Sequence, residues 1–100
     1  MTVTFRTKQL ERCYVDHKAA AREFGKDVAR RYIERINIIK CTTSFQELVK
    51  IRVLRCHPLK GDWAGFYALT LTGFMRLIIS LEDESLTVVC IEEVSKHYDD

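Results

Sequence analysis

The spacing of apolar residues changes partway along the chain, and that change constrains the fold more than any other feature. Between Ala20 and Ile39 apolar side chains recur at helical intervals, at Ala20, Phe24, Val28, Tyr32, Ile36 and Ile39. From Val53 to Leu59 the period becomes two, with Val53, Arg55, His57 and Leu59 on one side. Strand-rich stretches follow over 66–72, 74–81 and 87–94. Helical period first and strand period second, with no alternation between them, predicts an α+β fold: an N-terminal strand and helices packed on an antiparallel β-meander. The helices then cover one sheet face and leave the other partly free to bind.

Local signals set the expected boundaries. Val3-Thr4-Phe5 reads as an opening strand, and Thr7 to Tyr14 as a first short helix with Leu10 and Tyr14 inward. Asp16 is placed to cap the next helix, before Lys18-Ala19-Ala20-Ala21. Gly25 either divides two helices or is tolerated inside one long helix at about 1 kcal/mol. Arg22, Lys26, Arg30, Glu34 and Arg35 form the expected outer face. Ser44 followed by Glu47 fits a capping box for a short helix through Val49. Lys60 to Gly65 reads as a loop, Thr72-Gly73 as a hairpin turn and Glu82 to Ser85 as a polar turn.

One hundred residues suit a single domain, 1–100, with one core. No apolar run is long enough to span a membrane. Met1 to Phe5 lacks the charged lead and apolar stretch of a signal peptide, so the cytoplasm is the expected compartment. Cys13, Cys41, Cys56 and Cys90 are too far apart in sequence for a zinc knuckle or a Cys-x-x-Cys motif. They read as small core residues, with no metal and no cofactor expected. Net charge is +2, but residues 1–80 carry fifteen Lys/Arg against seven Asp/Glu, while residues 81–100 carry one Lys against seven acids. Such asymmetry suits a polyanion-binding surface beside an acidic edge, although charge alone favours the simpler reading of solvated helix faces.

Isolated polar residues in the strand half carry the chemical information. His57 lies just before a turn, Lys60 three residues on, and Arg76 is set among apolar neighbours where a guanidinium is costly. His97 and Tyr98 follow the last expected strand. RNA cleavage needs a 2′-hydroxyl deprotonated, a 5′-oxygen protonated and a phosphorane stabilised. Histidine serves either proton role, and Lys and Arg hold phosphate. The structural alternatives are an ion pair of Arg76 with Glu92 or Glu93, a simple turn at Lys60, and a frayed end at His97 and Tyr98. Trp63 reads either as a cap on the core edge or as a contact for RNA or a partner.

His57-Pro58-Leu59-Lys60-Gly61-Asp62, Gly65-Phe66-Tyr67, Met75-Arg76-Leu77-Ile78 and Glu93-Val94-Ser95-Lys96-His97-Tyr98 resemble the HigB branch of the RelE/ParE toxin superfamily. The likeness covers nearly the whole chain, and the His-x-Leu-Lys-Gly segment is its most specific part. It departs at the tail, where Ser95 and Lys96 replace an acidic residue and a tyrosine, and at Trp63, where a basic residue is common.

The resemblance implies a RelE-like fold and the toxin of a type II toxin–antitoxin system. The implied activity is ribosome-dependent cleavage of messenger RNA by metal-independent acid–base chemistry. By position, His57, Lys60, Arg76 and His97 match the catalytic set, with Arg55, Trp63 and Tyr98 as RNA-binding or auxiliary residues. His97 is the expected general base and His57 the second proton-transfer group, although the roles can be exchanged. The implied partners are a HigA-like helix-turn-helix antitoxin, the ribosome and messenger RNA; operator DNA is bound only through the antitoxin, and no membrane is involved. The alternatives are a ParE-like DNA gyrase inhibitor and a degenerate module that only binds RNA or a partner.

Overall fold

Thr7 and Asp16 set the start of the helical half. The computed structural model describes residues 1–96. Strand β1 (Thr2–Phe5) leads into helix α1 (Lys8–Val15), where the Thr7 hydroxyl accepts from the Leu10 N–H at 3.1 Å. Helix α2 (His17–Phe24) follows at once because Asp16 ends one helix and caps the next. Its carboxylate accepts from the Lys18 and Ala19 N–H groups, an arrangement that contributes about 1 kcal/mol.

Gly25 divides two helices. Its φ of 86° and ψ of 159° are accessible to glycine and strained for other residues. Its N–H closes α2 on the Ala21 carbonyl, and its own carbonyl opens helix α3 (Lys26–Cys41) by accepting from Ala29. Tyr32, Ile36 and Ile39 of α3 are fully buried, as their spacing predicts. The buried Tyr32 hydroxyl donates to the Leu10 carbonyl at 2.6 Å and locks α3 to α1. The Met1 ammonium donates to the carbonyls of Ile39, Lys40 and Thr42, which places a cation at the negative end of α3. Ser44 then caps the short helix α4 (Phe45–Leu48).

The predicted strand over Val53–Leu59 is not formed. Arg52–Leu54 makes a 3-10 turn that buries Leu54 and leaves Val53 exposed. Arg55 is left-handed, at φ 50° and ψ 43°, so the alternation read from sequence has no extended backbone beneath it. Only strand β2 (His57–Pro58) remains, and Pro58 suits an edge because it has no N–H to donate. The 3-10 turn Gly61–Trp63 leads to strands β3 (Tyr67–Thr70), β4 (Met75–Leu81) and β5 (Val88–Lys96). The sheet order is β1-β5-β4-β3-β2. Strands β2 to β5 form the expected antiparallel meander, and β1 adds in parallel to β5. The last strand runs two residues past the predicted Val94, so Ser95 and Lys96 belong to the sheet.

Two residues take the opposite environment to the one expected. Arg35 is buried: its Nε donates to the Thr70 carbonyl at 3.0 Å and Nη1 meets Glu34 at 2.7 Å. Its aliphatic stem follows the helix into the core while the guanidinium serves a strand end. Cys41 is exposed at the end of α3, whereas Cys13 and Cys90 are buried as expected. Among the described residues, no helix is long and apolar enough to cross a membrane.

Candidate functional site

Alternation along β4 sorts its residues between two sheet faces. Met75, Leu77, Ile79 and Leu81 join the main core beneath the helices. Arg76, Ile78 and Ser80 therefore occupy the face away from the helices. The strand register extends that face to Ala68 and Thr70 of β3 and to Cys90, Glu93 and Ser95 of β5. The register shifts between Ile78 and Ile79, so Glu92 is an extra residue on β5. Glu92 accepts from the Ser80 hydroxyl at 2.5 Å and from the Arg6 guanidinium at 2.8 Å. Burial alone would raise its pKa, but these two donors outweigh it and hold the carboxyl below its usual range.

His57 is on this open face, opposite Ala68 and half-buried. Its Nδ1 lies 2.7 Å from the Arg55 carbonyl oxygen. A carbonyl only accepts, so the ring proton is on Nδ1, and Nε2 is the basic nitrogen of the neutral ring. The left-handed backbone of Arg55 aims that carbonyl, so Arg55 acts here through its main chain while its side chain is exposed. Leu59, Ala68 and Ile78 form a small second apolar cluster with Trp63 and Phe66 packed on it. The Trp63 and Phe66 rings meet edge to face at 5.3 Å. Trp63 therefore packs at the edge of this second cluster, and the loop from 59 to 66 folds onto the Ala68 and Ile78 side of the sheet.

Arg76 shares this face but is turned toward the β3–β4 hairpin. It is buried, and its Nη1 donates to the carbonyls of Thr72 at 2.9 Å and Met75 at 3.1 Å. Glu92 is engaged by Arg6 and Ser80, and Arg76 lies across from Ser95. With strands about 4.8 Å apart and about 3.4 Å of rise per residue, the Cα atoms of His57 and Arg76 are roughly 12 Å apart. Lys60 is exposed at the start of the Gly61–Trp63 turn. His57 and Arg76 therefore share one face, and Lys60 begins the loop that folds onto it. His97 and Tyr98 lie outside the described residues. Among the described residues, no group of three or more His, Cys, Asp or Glu is arranged to hold a metal ion.

This arrangement of helices on a β1-β5-β4-β3-β2 sheet has counterparts among solved structures. YafQ from E. coli superposes with a TM-score of 0.64 at 20% identity, over 95% of this chain and 91% of that one. YoeB in the YoeB-YefM complex from Staphylococcus aureus gives 0.61 at 17% identity, over 98% of each chain. The E. coli DinJ-YafQ toxin-antitoxin complex gives 0.52 at 18% identity, over 95% and 90%. The chain has the RelE-like toxin fold. No protein-family model and no curated protein matches it.

Three features of the face were missed in the sequence. The Arg55 carbonyl escaped because a left-handed arginine carries no compositional signal. The placement of Glu92 and Glu93 depends on a bulge that alternation alone does not announce. Phe74 falls within the expected strand 74–81 but lies in the turn before β4 and is 79% exposed; its position beside Thr72-Gly73 is the signal for this.

Proposed function

We propose that this chain is a HigB-like toxin of a type II toxin–antitoxin system that cuts messenger RNA on the ribosome. The observation that carries the reading is His57, held on the open sheet face by the Arg55 carbonyl so that Nε2 is its basic nitrogen. A toxin fold with that imidazole, and an exposed lysine three residues further on, suits proton transfer at a phosphodiester. His57 and His97 would share the two proton transfers. One takes the proton of the 2′-hydroxyl as its oxygen attacks phosphorus, and the other gives a proton to the departing 5′-oxygen. Lys60 and Arg76 would stabilise the added phosphorane charge, with Arg76 also holding the hairpin in place. Arg55, Trp63 and Tyr98 would complete the RNA surface. These are the chain's own groups, and the scheme uses no metal or cofactor.

The same reading makes residues 1–100 one toxin domain acting in the cytoplasm. Its partners would be the ribosome and a HigA-like helix-turn-helix antitoxin, with operator DNA reached only through that antitoxin. YafQ and YoeB are each seen in a complex with a partner protein, which supports the antitoxin.

The test is addition of the protein to a translating extract, followed by mapping of messenger RNA 5′ ends. Cuts that need translation and disappear in His57→Gln and His97→Gln support the reading. Uncut transcripts together with broken DNA in the presence of gyrase would replace it with the ParE-like alternative. One observation favours a binding role over a catalytic one, namely the commitment of Arg76 to the Thr72 and Met75 carbonyls. Intact transcripts with retained ribosome binding would identify that case.

A further inference from the structure

Among the described residues, Phe74 is the most exposed of the large hydrophobic side chains, at 79%, ahead of Val15 at 74%, Val53 at 58% and Val49 at 43%. It is also the only ring among them. The β3–β4 turn has no structural use for an aromatic side chain there, since the turn is closed by the Leu71 and Thr72 N–H groups on the Met75 carbonyl and by Arg76 on Thr72. An exposed phenyl ring gives up burial that a polar residue would not lose.

Its surroundings suit a nucleic-acid base. Phe74 lies in the turn immediately before β4, and the Arg76 guanidinium reaches back into that turn to the Thr72 and Met75 carbonyls on either side of it. Thr70 and Ser95 flank Arg76 in the same row, and the exposed Lys96 pairs with Met75 at this end of the sheet. An exposed ring next to cations and hydroxyls is the combination that single-stranded RNA uses. Bases stack on the ring, and cations nearby attract the backbone. We propose that Phe74 is a base-stacking residue that holds one unpaired nucleotide of the RNA at the β3–β4 hairpin. This rests on the messenger RNA reading above and adds to it the contact that positions the strand.

The experiment measures the initial rate of transcript cleavage in a translating extract over a range of ribosome concentrations. It compares the wild type with Phe74→Ala, Phe74→Leu and Phe74→Trp. Exposure of the ring means that these variants keep the fold, which circular dichroism and thermal midpoint verify. Loss of stacking in Phe74→Ala should raise the half-saturating ribosome concentration about 5- to 100-fold. The rate at saturation should change far less, because the contact is made equally before and during reaction. Phe74→Leu should resemble Phe74→Ala, and Phe74→Trp should match or exceed the wild type. A Phe74→Ala curve that overlays the wild type overturns the proposal while leaving the nuclease reading intact. Leucine working as well as phenylalanine also overturns it, since a greasy contact is then sufficient. So does unchanged cleavage by Phe74→Ala accompanied by lost binding of the co-expressed antitoxin. Absence of cleavage by the wild type removes the nuclease reading and this proposal with it.

Discussion

Arg35 and Arg76 donate to carbonyls of the same hairpin from different elements. Arg35 Nε reaches Thr70 O at 3.0 Å from α3, and Arg76 Nη1 reaches Thr72 O at 2.9 Å from β4. Both side chains are buried and the accepting residues Thr70 and Thr72 are half-buried, so removing either arginine loses a charge-assisted hydrogen bond and the packing of its stem. Burial also pulls the Arg35 pKa down, while Glu34 opposes that shift. Arg35→Ala should lower unfolding free energy by about 2 to 4 kcal/mol, with Arg76→Ala losing about 1 to 3 kcal/mol. Arg35→Met, which keeps the stem, should lose less than Arg35→Ala. Urea denaturation measures all three. An Arg76→Ala midpoint equal to the wild type would mean that the guanidinium is held for chemistry alone.

His57 should separate catalysis from stability. Its ring is half-buried on a short edge strand, and its Nδ1 donates to the Arg55 carbonyl two residues away. His57→Gln should leave stability within about 1 kcal/mol of the wild type. If His57 transfers a proton, the same change should cut the cleavage rate by about 100- to 10,000-fold. The comparison requires mapped transcript ends and a thermal melt on the same preparation. A large rate loss matched by a large stability loss would reassign His57 to the fold.

The turn between β4 and β5 gives a pH dependence of known sign. The Asp83 carboxylate accepts from the Ser85 hydroxyl, from the Thr87 hydroxyl at 2.9 Å, and from the N–H groups of Thr87 at 3.0 Å and Val88 at 2.9 Å. These bonds, that from Ser85 foremost, lower its pKa to about 2. An unfolded aspartate titrates near pH ~3.9, so the folded state prefers the charged form. The stabilisation is complete above pH ~4 and disappears as pH falls through the folded value. Asp83→Asn should therefore melt below the wild type at pH 5, and the gap should narrow steadily down to pH 2. A gap that does not change with pH would leave the carboxylate without a role in the turn.

The helical half was readable because each of its signals is local. The Asp16 and Ser44 caps and the inward line of Tyr32, Ile36 and Ile39 all concern neighbours within a turn or two, whereas the sequence left Gly25 open between dividing two helices and interrupting one. Arg35 broke that pattern, since its partner Thr70 is thirty-five positions away. Segment 53–59 failed for another reason. Alternation of side chains is necessary for a half-buried strand, but Leu54 gained more by turning into the core and Arg55 took a left-handed conformation to allow it.

The candidate site was legible as a list of residues and only partly as a place. His57 and Arg76 do share a face, because both strands belong to one meander and have the same pleat phase. That phase does not reveal where a long side chain bends, and Arg76 bends toward its own hairpin. Nor does it reveal which atom orients a histidine, which here is the carbonyl of Arg55, a residue expected to be RNA-binding or auxiliary.

The four cysteines should divide by burial alone. Thiolate, not thiol, reacts with disulfide reagents, so burial protects both by exclusion and by raising the pKa. Cys13 and Cys90 are buried and their pKa values are raised by desolvation. Cys56 is half-buried and desolvation pushes its thiol up to about 12. Cys41 is exposed at the end of α3. An aromatic disulfide reagent at pH 8 should therefore modify one thiol rapidly in the native protein and all four after unfolding. Cys41→Ser should remove the fast phase and leave the fold unchanged. A second thiol reacting at the same rate would require the 3-10 turn before Cys56, or the core around Cys13 and Cys90, to open under native conditions.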